Sequence, residues 1–116
     1  MLGYCQVMDD ADVVRRYLAE IEKVPTLTPA EEAELTRRAR AGDDRAKQRL
    51  TEANLRLVEP IVVPYADRGV SLIDLIQEGN MELIRAIEDF DAGRDGTLSS
   101  YASTRIREVI ERIVGQ

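Results

Sequence analysis

The sequence Asp74-Leu-Ile-Gln-Glu-Gly-Asn80 continues directly into Met81-Glu-Leu-Ile-Arg-Ala-Ile-Glu-Asp-Phe-Asp91, and this stretch has the clearest helical pattern in the chain. Apolar residues recur at helical spacing and form one stripe: Leu75, Ile76, Leu83, Ile84 and Ile87. Polar residues occupy the rest of the surface: Asp74, Gln77, Glu78, Glu82 and Glu88. Gly79 costs about 1 kcal/mol relative to alanine inside a helix, which indicates that another element approaches its backbone closely. The pattern predicts a helix that docks on a protein partner, and an ordinary amphipathic helix is the alternative.

The first two helices are predicted by their boundary signals. A helical apolar period covers residues 13–21, and Pro25 ends this first helix. The segment Thr28-Pro29-Ala30-Glu31 then combines an N-cap threonine, a proline at the first helical position and the glutamate of a capping box. The helix that begins at this segment ends at Gly42.

The rest of the chain is also predicted to be helical. Asp43 or Asp44 caps a third helix, in which Pro60 predicts a kink or an end near Glu59 because it removes a backbone hydrogen bond. The remaining boundaries are a helix start at Ser71, a loop from Asp91 to Thr97 and a final helix from about Ser99 to Val114. No stretch shows the sustained alternation of a half-buried strand. The predicted fold class is therefore all-α, a single-domain bundle of about five helices.

The residue composition argues against most kinds of chemistry. The chain has no His, and Cys5 is its single cysteine, so neither an intramolecular disulfide nor a metal site is predicted. No phosphate-binding glycine loop or nucleophile motif occurs, and we expect neither an enzymatic activity nor a cofactor. The segment that begins at Asp89 resembles a calcium-binding loop only superficially, because Arg94 stands where glycine is required and Ser100 where glutamate is required.

The predicted location of the chain is a reducing cytoplasm. No apolar run approaches the roughly 20 residues that cross a bilayer. The first eight residues are too few and too polar for a signal peptide. We therefore expect no membrane partner.

Charge is distributed unevenly along the chain, whose formal net charge is −6. Six basic and two acidic residues give residues 37–49 a local charge of +4, whereas seven acidic and two basic residues give residues 66–91 a local charge of −5. The net charge argues against indiscriminate binding of nucleic acid. An acidic docking helix suits a basic protein surface, and a merely solvated face is the alternative.

In combination, four motifs resemble those of the sigma-70 family of bacterial RNA polymerase sigma factors. Asn54-Leu-Arg-Leu-Val58, the stretch from Asp74 to Asn80, Leu98-Ser-Ser-Tyr-Ala102 and Arg105-Ile-Arg107 follow one another in the order and spacing of that family. The resemblance runs from about Val14 to Arg112. It implies an N-terminal tail at residues 1–9, region 1.2-like helices at residues 10–42 and a region 2-like helical domain at residues 43–116, packed as one domain.

The resemblance also implies a site that binds RNA polymerase core. In this family, the helix that corresponds to residues 74–86 grips the coiled-coil clamp helices of the polymerase β′ subunit. The implied core-binding residues are those at matching positions: Asp74, Leu75, Ile76, Gln77, Glu78, Asn80, Glu82, Leu83, Arg85 and Ala86.

A DNA-binding site is implied as well. Members of the family open promoter DNA by flipping two bases of the non-template strand of the minus-ten element into protein pockets. Tyr101 matches the stacking tyrosine. The other matches are Asn54 and Leu57 in a base pocket, Arg15 and Tyr17 on the strand just downstream, and Arg105, Arg107 and Arg112 near the phosphate backbone. The alternative from the sequence alone is ordinary: half-buried core rings for the tyrosines, a helix-internal polar group for the asparagine, and surface partners of Glu108 and Glu111 for the arginines.

Several departures from the family favour a second interpretation. They are Gly96 and Leu98 in place of aromatic residues, Glu108 and Glu111 in place of uncharged polar residues, and Val63 and Pro64 in place of residues that are basic in many relatives. Thr104 and Arg105 also replace the two tryptophans of housekeeping members, but this change alone decides little, because flagellar and stress-type members have Pro-Arg there. Lost rings and added carboxylates weaken DNA binding. The alternative is a sigma-like regulator that occupies polymerase core or an anti-sigma protein without reading promoters. Family members continue into further domains, so a fragment of a longer factor and a free-standing module both fit a sequence that ends at Gln116.

Overall fold

The computed structural model describes residues 10–115, so the predicted tail at residues 1–9, with Cys5, lies outside the described residues. The helices are α1 (Asp10–Glu22), α2 (Pro29–Arg40), α3 (Asp44–Asn54), α4 (Val58–Val62), α5 (Leu72–Asp89), α6 (Ala92–Asp95) and α7 (Leu98–Val114). Two of them, α4 and α6, have only 5 and 4 residues. No strand occurs between residues 10 and 115. The prediction of an all-α fold with about five substantial helices is confirmed.

The predicted boundaries of α2 and α3 are confirmed in atomic detail. The Thr28 hydroxyl accepts a hydrogen bond from the backbone N–H of Glu31 at 3.1 Å, and the Glu31 carboxylate accepts one from the backbone N–H of Thr28 at 2.8 Å. Gly42 has a φ of +98°, the left-handed conformation that commonly ends a helix. Of the two candidate caps for α3, Asp43 is the one used. It accepts from the backbone N–H groups of residues 45 and 46, and these bonds help to lower the pKa of its carboxyl group.

The interruption predicted at Pro60 is present, but its predicted position near Glu59 is wrong by about one turn. α3 ends at Asn54, a 3-10 turn follows at Leu55–Leu57, and α4 then begins. Because Pro60 has no N–H, the carbonyl group of Arg56, four residues earlier, has no helical partner. The chain therefore tightens in the turn before the proline rather than at the proline.

α5 lies at the centre of the fold, where it packs most extensively against α7 and also contacts α4, α3 and α1. The largest fully buried side chains come from four helices: Leu50, Val58, Val62, Leu75, Leu83, Leu98, Ile106 and Ile110. Gly79 faces this core, and a Cβ atom built on it would lie only 2.6 Å from Cγ1 of Val58. The close approach predicted from Gly79 is therefore confirmed, and the approaching element is α4.

Two arginines attach the end of α1 to the α3–α4 segment. The Arg56 guanidinium donates to the carbonyl groups of Ile21 and Val24, and the Arg49 guanidinium donates to the carbonyl group of Pro25 at 3.3 Å. Cations are favourable at this end of a helix because its terminal carbonyl groups carry partial negative charge. Arg49 and Arg56 therefore contribute to the stability of the fold through these bonds.

Two local predictions differ from the structure. The predicted loop from Asp91 to Thr97 contains the short helix α6, and the Asp91 carboxylate accepts a hydrogen bond from the backbone N–H of Gly93 in this helix. Ile84 was assigned to the buried stripe, but 40% of its surface is exposed. Ile84 follows Leu75 by nine residues, about two and a half helical turns, so it lies on the opposite side of α5 from Leu75.

Candidate partner-binding face and nucleic-acid interface

The exposed side of α5 has an apolar centre and a polar rim. Met81 and Ile84 are 48% and 40% exposed and lie one turn apart. Five exposed polar residues surround them: Asp74, Gln77, Glu78, Arg85 and Glu88. We call these seven residues the α5 outer face. Exposed apolar side chains ringed by polar ones are typical of protein-binding surfaces, and the three carboxylates against one arginine favour a basic partner.

Four of the ten residues predicted to bind polymerase core lie on the opposite side of α5. Leu75, Ile76, Leu83 and Ala86 belong to the core, with exposures of 5% or less. They shape the helix and hold it in place, but only the exposed predicted residues, Asp74, Gln77, Glu78 and Arg85, present side chains to a partner without a rearrangement.

Asn80 and Tyr17, predicted for different partners, contact each other. The Asn80 side-chain amide donates to the Tyr17 hydroxyl at 2.9 Å, and this bond joins α5 to α1. Both side chains are half-buried. They line a small cavity of about 200 Å³ together with Val13, Ile73 and Gln77.

Glu82, predicted to bind a partner, and Arg105, predicted to bind phosphate, form an ion pair inside the molecule. The Nε and Nη2 atoms of Arg105 lie 2.8 and 2.7 Å from one Glu82 carboxylate oxygen. Nη1 of Arg105 donates to the Asp89 carboxylate at 2.9 Å and to the Tyr101 hydroxyl at 2.7 Å. We call Glu82, Asp89, Tyr101 and Arg105 the Arg105 cluster. It connects α5 to α7, and it includes the predicted stacking ring of Tyr101.

The ring of Tyr101 is half-buried and has two neighbours. Its centroid lies 5.6 Å from that of Phe90, with the rings inclined at 45°. The Arg105 guanidinium carbon lies 5.5 Å from the same ring, within the range of a cation–π interaction. Tyr101 is therefore half-buried, as the ordinary interpretation predicts, and part of it remains exposed.

Arg107 and Arg112 are exposed on α7, and within residues 10–115 neither forms an ion pair. The alternative that α7 arginines pair with Glu108 and Glu111 is therefore not observed in the described part of the chain. Glu111 instead accepts a hydrogen bond from the Tyr65 hydroxyl at 2.8 Å, which raises the pKa of that hydroxyl. Arg112 follows Tyr101 by 11 residues, about three helical turns, and so lies on the same side of α7.

The remaining residues predicted to contact DNA form their hydrogen bonds and ion pairs with residues other than Tyr101. Arg15 is exposed on α1 and pairs with Asp12. Asn54 is buried at the end of α3, where its amide donates to the Leu50 carbonyl at 2.8 Å, as the ordinary interpretation predicts. Leu57 is half-buried in the 3-10 turn that follows.

Two other kinds of site are absent from the described residues. No helix between residues 10 and 115 has the length and apolarity that a membrane span requires. The same part of the chain contains no group of three His, Cys, Asp or Glu side chains arranged to hold a metal ion.

The chain matches two family models in succession. Residues 12–45 match the sigma-70 factor region 1.2, and residues 50–114 match sigma-70 region 2. The second match alone covers more than half of the chain, and the chain therefore belongs to the sigma-70 family.

Curated relatives agree with this assignment. The chain is 50% identical over 103 residues to the RNA polymerase sigma factor SigA of a Bacillus species and to that of Clostridium acetobutylicum. Each alignment covers 89% of this chain but 27% of the relative. The chain thus spans about a quarter of the length of these relatives.

Sequence reasoning missed three participants in these sites. Met81 was left out of the docking surface, Asp89 was not assigned to any site, and Phe90 was not recognised as the neighbour of Tyr101. A signal existed only for Met81, which follows Gln77 by four residues and therefore shares its side of the helix. The other two contacts join residues from separate helices.

Proposed function

We propose that the chain is a non-enzymatic sigma-factor module that binds the clamp helices of RNA polymerase core and engages the non-template strand of a promoter minus-ten element. The α5 outer face is the proposed polymerase-binding surface, and the Tyr101 side of α7 is the proposed DNA-binding surface. The observation that carries the first part is the exposed pair Met81 and Ile84 within an acidic rim, on the helix with the most specific family motif.

The outer face has the features that binding of a basic coiled coil requires. Its apolar centre supplies area to bury, and its carboxylates supply complementary charge and steer association. Glu88 is held by an ion pair with Lys47, whereas Gln77 and Glu78 make no side-chain hydrogen bond within residues 10–115 and are free to pair with a partner.

Replacing Gln77 by alanine together with Glu78 by lysine is expected to weaken binding to purified polymerase core at least tenfold, about 1.4 kcal/mol. The change removes a hydrogen-bonding group and reverses a charge at the rim while leaving the core of the fold intact. Fluorescence anisotropy of the labelled chain, titrated with core, measures the dissociation constant.

The matched control is Gln48→Ala with Glu52→Lys. These two substitutions lie at exposed positions on α3, and they change the same residue types and the net charge by the same amount. This control should bind core as the native chain does. Equal affinities of the two double variants, or no binding by the native chain, would refute the proposed docking surface.

The proposed DNA contact is a base stacked on Tyr101. A base–aromatic stack is worth roughly 1–3 kcal/mol, so Tyr101→Leu is expected to reduce binding of a single-stranded minus-ten oligonucleotide by about tenfold or more in the presence of core. Tyr101→Phe keeps the ring and should retain most of the affinity. An oligonucleotide with the same bases in scrambled order measures sequence selectivity.

The second candidate is a regulator that occupies polymerase core or an anti-sigma protein without reading promoters. It is favoured by the exposed carboxylate of Glu108, which lies on the same side of α7 as Tyr101 and opposes phosphate binding. Core binding by the native chain without selective, Tyr101-dependent oligonucleotide binding would support this candidate.

A further inference from the structure

We infer that Arg105 is a positioning residue, anchored by Glu82, that holds the Tyr101 ring in place, and that it does not bind a DNA phosphate. The inference rests on the proposed function, because a stacking role for Tyr101 belongs to that proposal. It assigns Glu82 to the interior of the DNA-binding site instead of to the polymerase-binding surface.

The anchor is a carboxylate whose two oxygens are both occupied. One oxygen of Glu82 contacts two nitrogens of Arg105, and the other lies 3.3 Å from Nη1 of Arg85. The Glu82 side chain is only 9% exposed and that of Arg105 only 23%. A buried pair with satisfied partners has a fixed geometry, since movement of either charge away from the other would leave it desolvated and unpaired.

The fixed guanidinium in turn orients Tyr101. Its Nη1 donates to the Tyr101 hydroxyl at 2.7 Å, and its central carbon lies 5.5 Å from the ring centroid. The contact with Phe90 adds a third constraint. A ring held at its hydroxyl and packed against a fixed guanidinium loses little conformational freedom when a base stacks on it, which favours binding.

The same contacts leave Arg105 little capacity for a phosphate. Its N–H groups already face the carboxylates of Glu82 and Asp89. Burial lowers the pKa of Arg105, but the hydrogen bonds with Asp89, Tyr101 and Glu82 outweigh burial and raise it, so the cation is firmly held. A phosphate would have to displace at least one carboxylate and lie beside the other. Arg107, which has no such partners, is the appropriate comparison on the same helix.

The salt dependence of oligonucleotide binding separates a positioning residue from a phosphate contact. Each contact to a single-stranded phosphate contributes about 0.7 to the slope of log K against log salt concentration. The test variant is Arg105→Leu with Glu82→Leu, which keeps the net charge and leaves no buried charge unpaired. We expect it to bind the minus-ten oligonucleotide about tenfold more weakly, at saturating core, with an unchanged slope. The comparison variant Arg107→Leu should lower the slope if Arg107 contacts a phosphate.

A second measurement tests the positioning of the ring without DNA. In the free native chain, nuclear Overhauser effects should connect the ring protons of Phe90 and Tyr101, and they should weaken or disappear in the Arg105→Leu, Glu82→Leu variant. A slope reduced by about 0.7 in this variant, or unchanged ring contacts, would overturn the inference. If the native chain binds no oligonucleotide, the DNA part of the proposed function fails, and the ring contacts alone then decide whether Arg105 positions Tyr101.

Discussion

Arg105→Ala is expected to lower the free energy of unfolding by about 3 kcal/mol, because it leaves the buried carboxylate of Glu82 without its main partner. The remaining contact, with the half-exposed Arg85, is longer, at 3.3 Å. The loss also removes the contact between α7 and Asp89 at the end of α5, and the hydrogen bond to Tyr101 within α7. Urea unfolding followed by circular dichroism measures the change as a shift of the midpoint at constant slope.

The size of this effect depends on the unpaired charge more than on the lost attraction. Replacing both partners, as in Arg105→Leu with Glu82→Leu, should therefore cost less than about 1 kcal/mol, since apolar residues often replace a buried pair without loss. Arg107→Ala, at an exposed position on the same helix, should stay within about 0.5 kcal/mol of the native chain. A double variant as unstable as Arg105→Ala would contradict this explanation.

Gly79→Val is expected to lower the free energy of unfolding by about 3 kcal/mol, the upper end of the usual cost of overpacking a core. Even its first added atom would lie 2.6 Å from Cγ1 of Val58, a side chain that is fully buried and cannot swing away. The small gain in helix propensity over glycine offsets only a fraction of this cost. Thermal or urea unfolding gives the value, with Gly93→Ala, at an exposed glycine of α6, as the near-neutral control.

The steric cause can be tested separately with a double-mutant cycle. Val58→Ala removes the methyl group that the new side chain would meet, so Gly79→Ala should be less harmful in the Val58→Ala background than in the native chain. A favourable coupling energy of about 1 kcal/mol is expected for two residues in such contact. Strictly additive effects would show that the overlap with Val58 is not the cause.

The boundaries of the helices were predictable because they depend on local chemistry. Thr28, Asp43 and Gly42 cap or end their helices through atoms no more than a few residues away, so the sequence contains the whole interaction. Pro60 shows the limit of this reasoning. The missing N–H belongs to Pro60, but the carbonyl group that it leaves without a helical partner is that of Arg56, and the break accordingly begins about one turn earlier, at Leu55.

The contents of the candidate site were less predictable because they depend on tertiary packing. Glu82 and Arg105 are separated by 23 residues, and no spacing rule connects them. The family resemblance assigned the side chains of this pair to two different external partners.

The arginine contacts at the end of α1 have a consequence for dissecting the protein into fragments. A truncated chain that began at Asp43 would remove the backbone carbonyl groups that receive Arg49 and Arg56, and it would uncover the core where Val14 and Ile21 are buried. Such a fragment would contain every residue of the region 2 match, but it would lack the contacts with α1 that stabilise those residues. Binding measured on this fragment would reflect a protein with a partly uncovered core, so studies of fragments should retain α1.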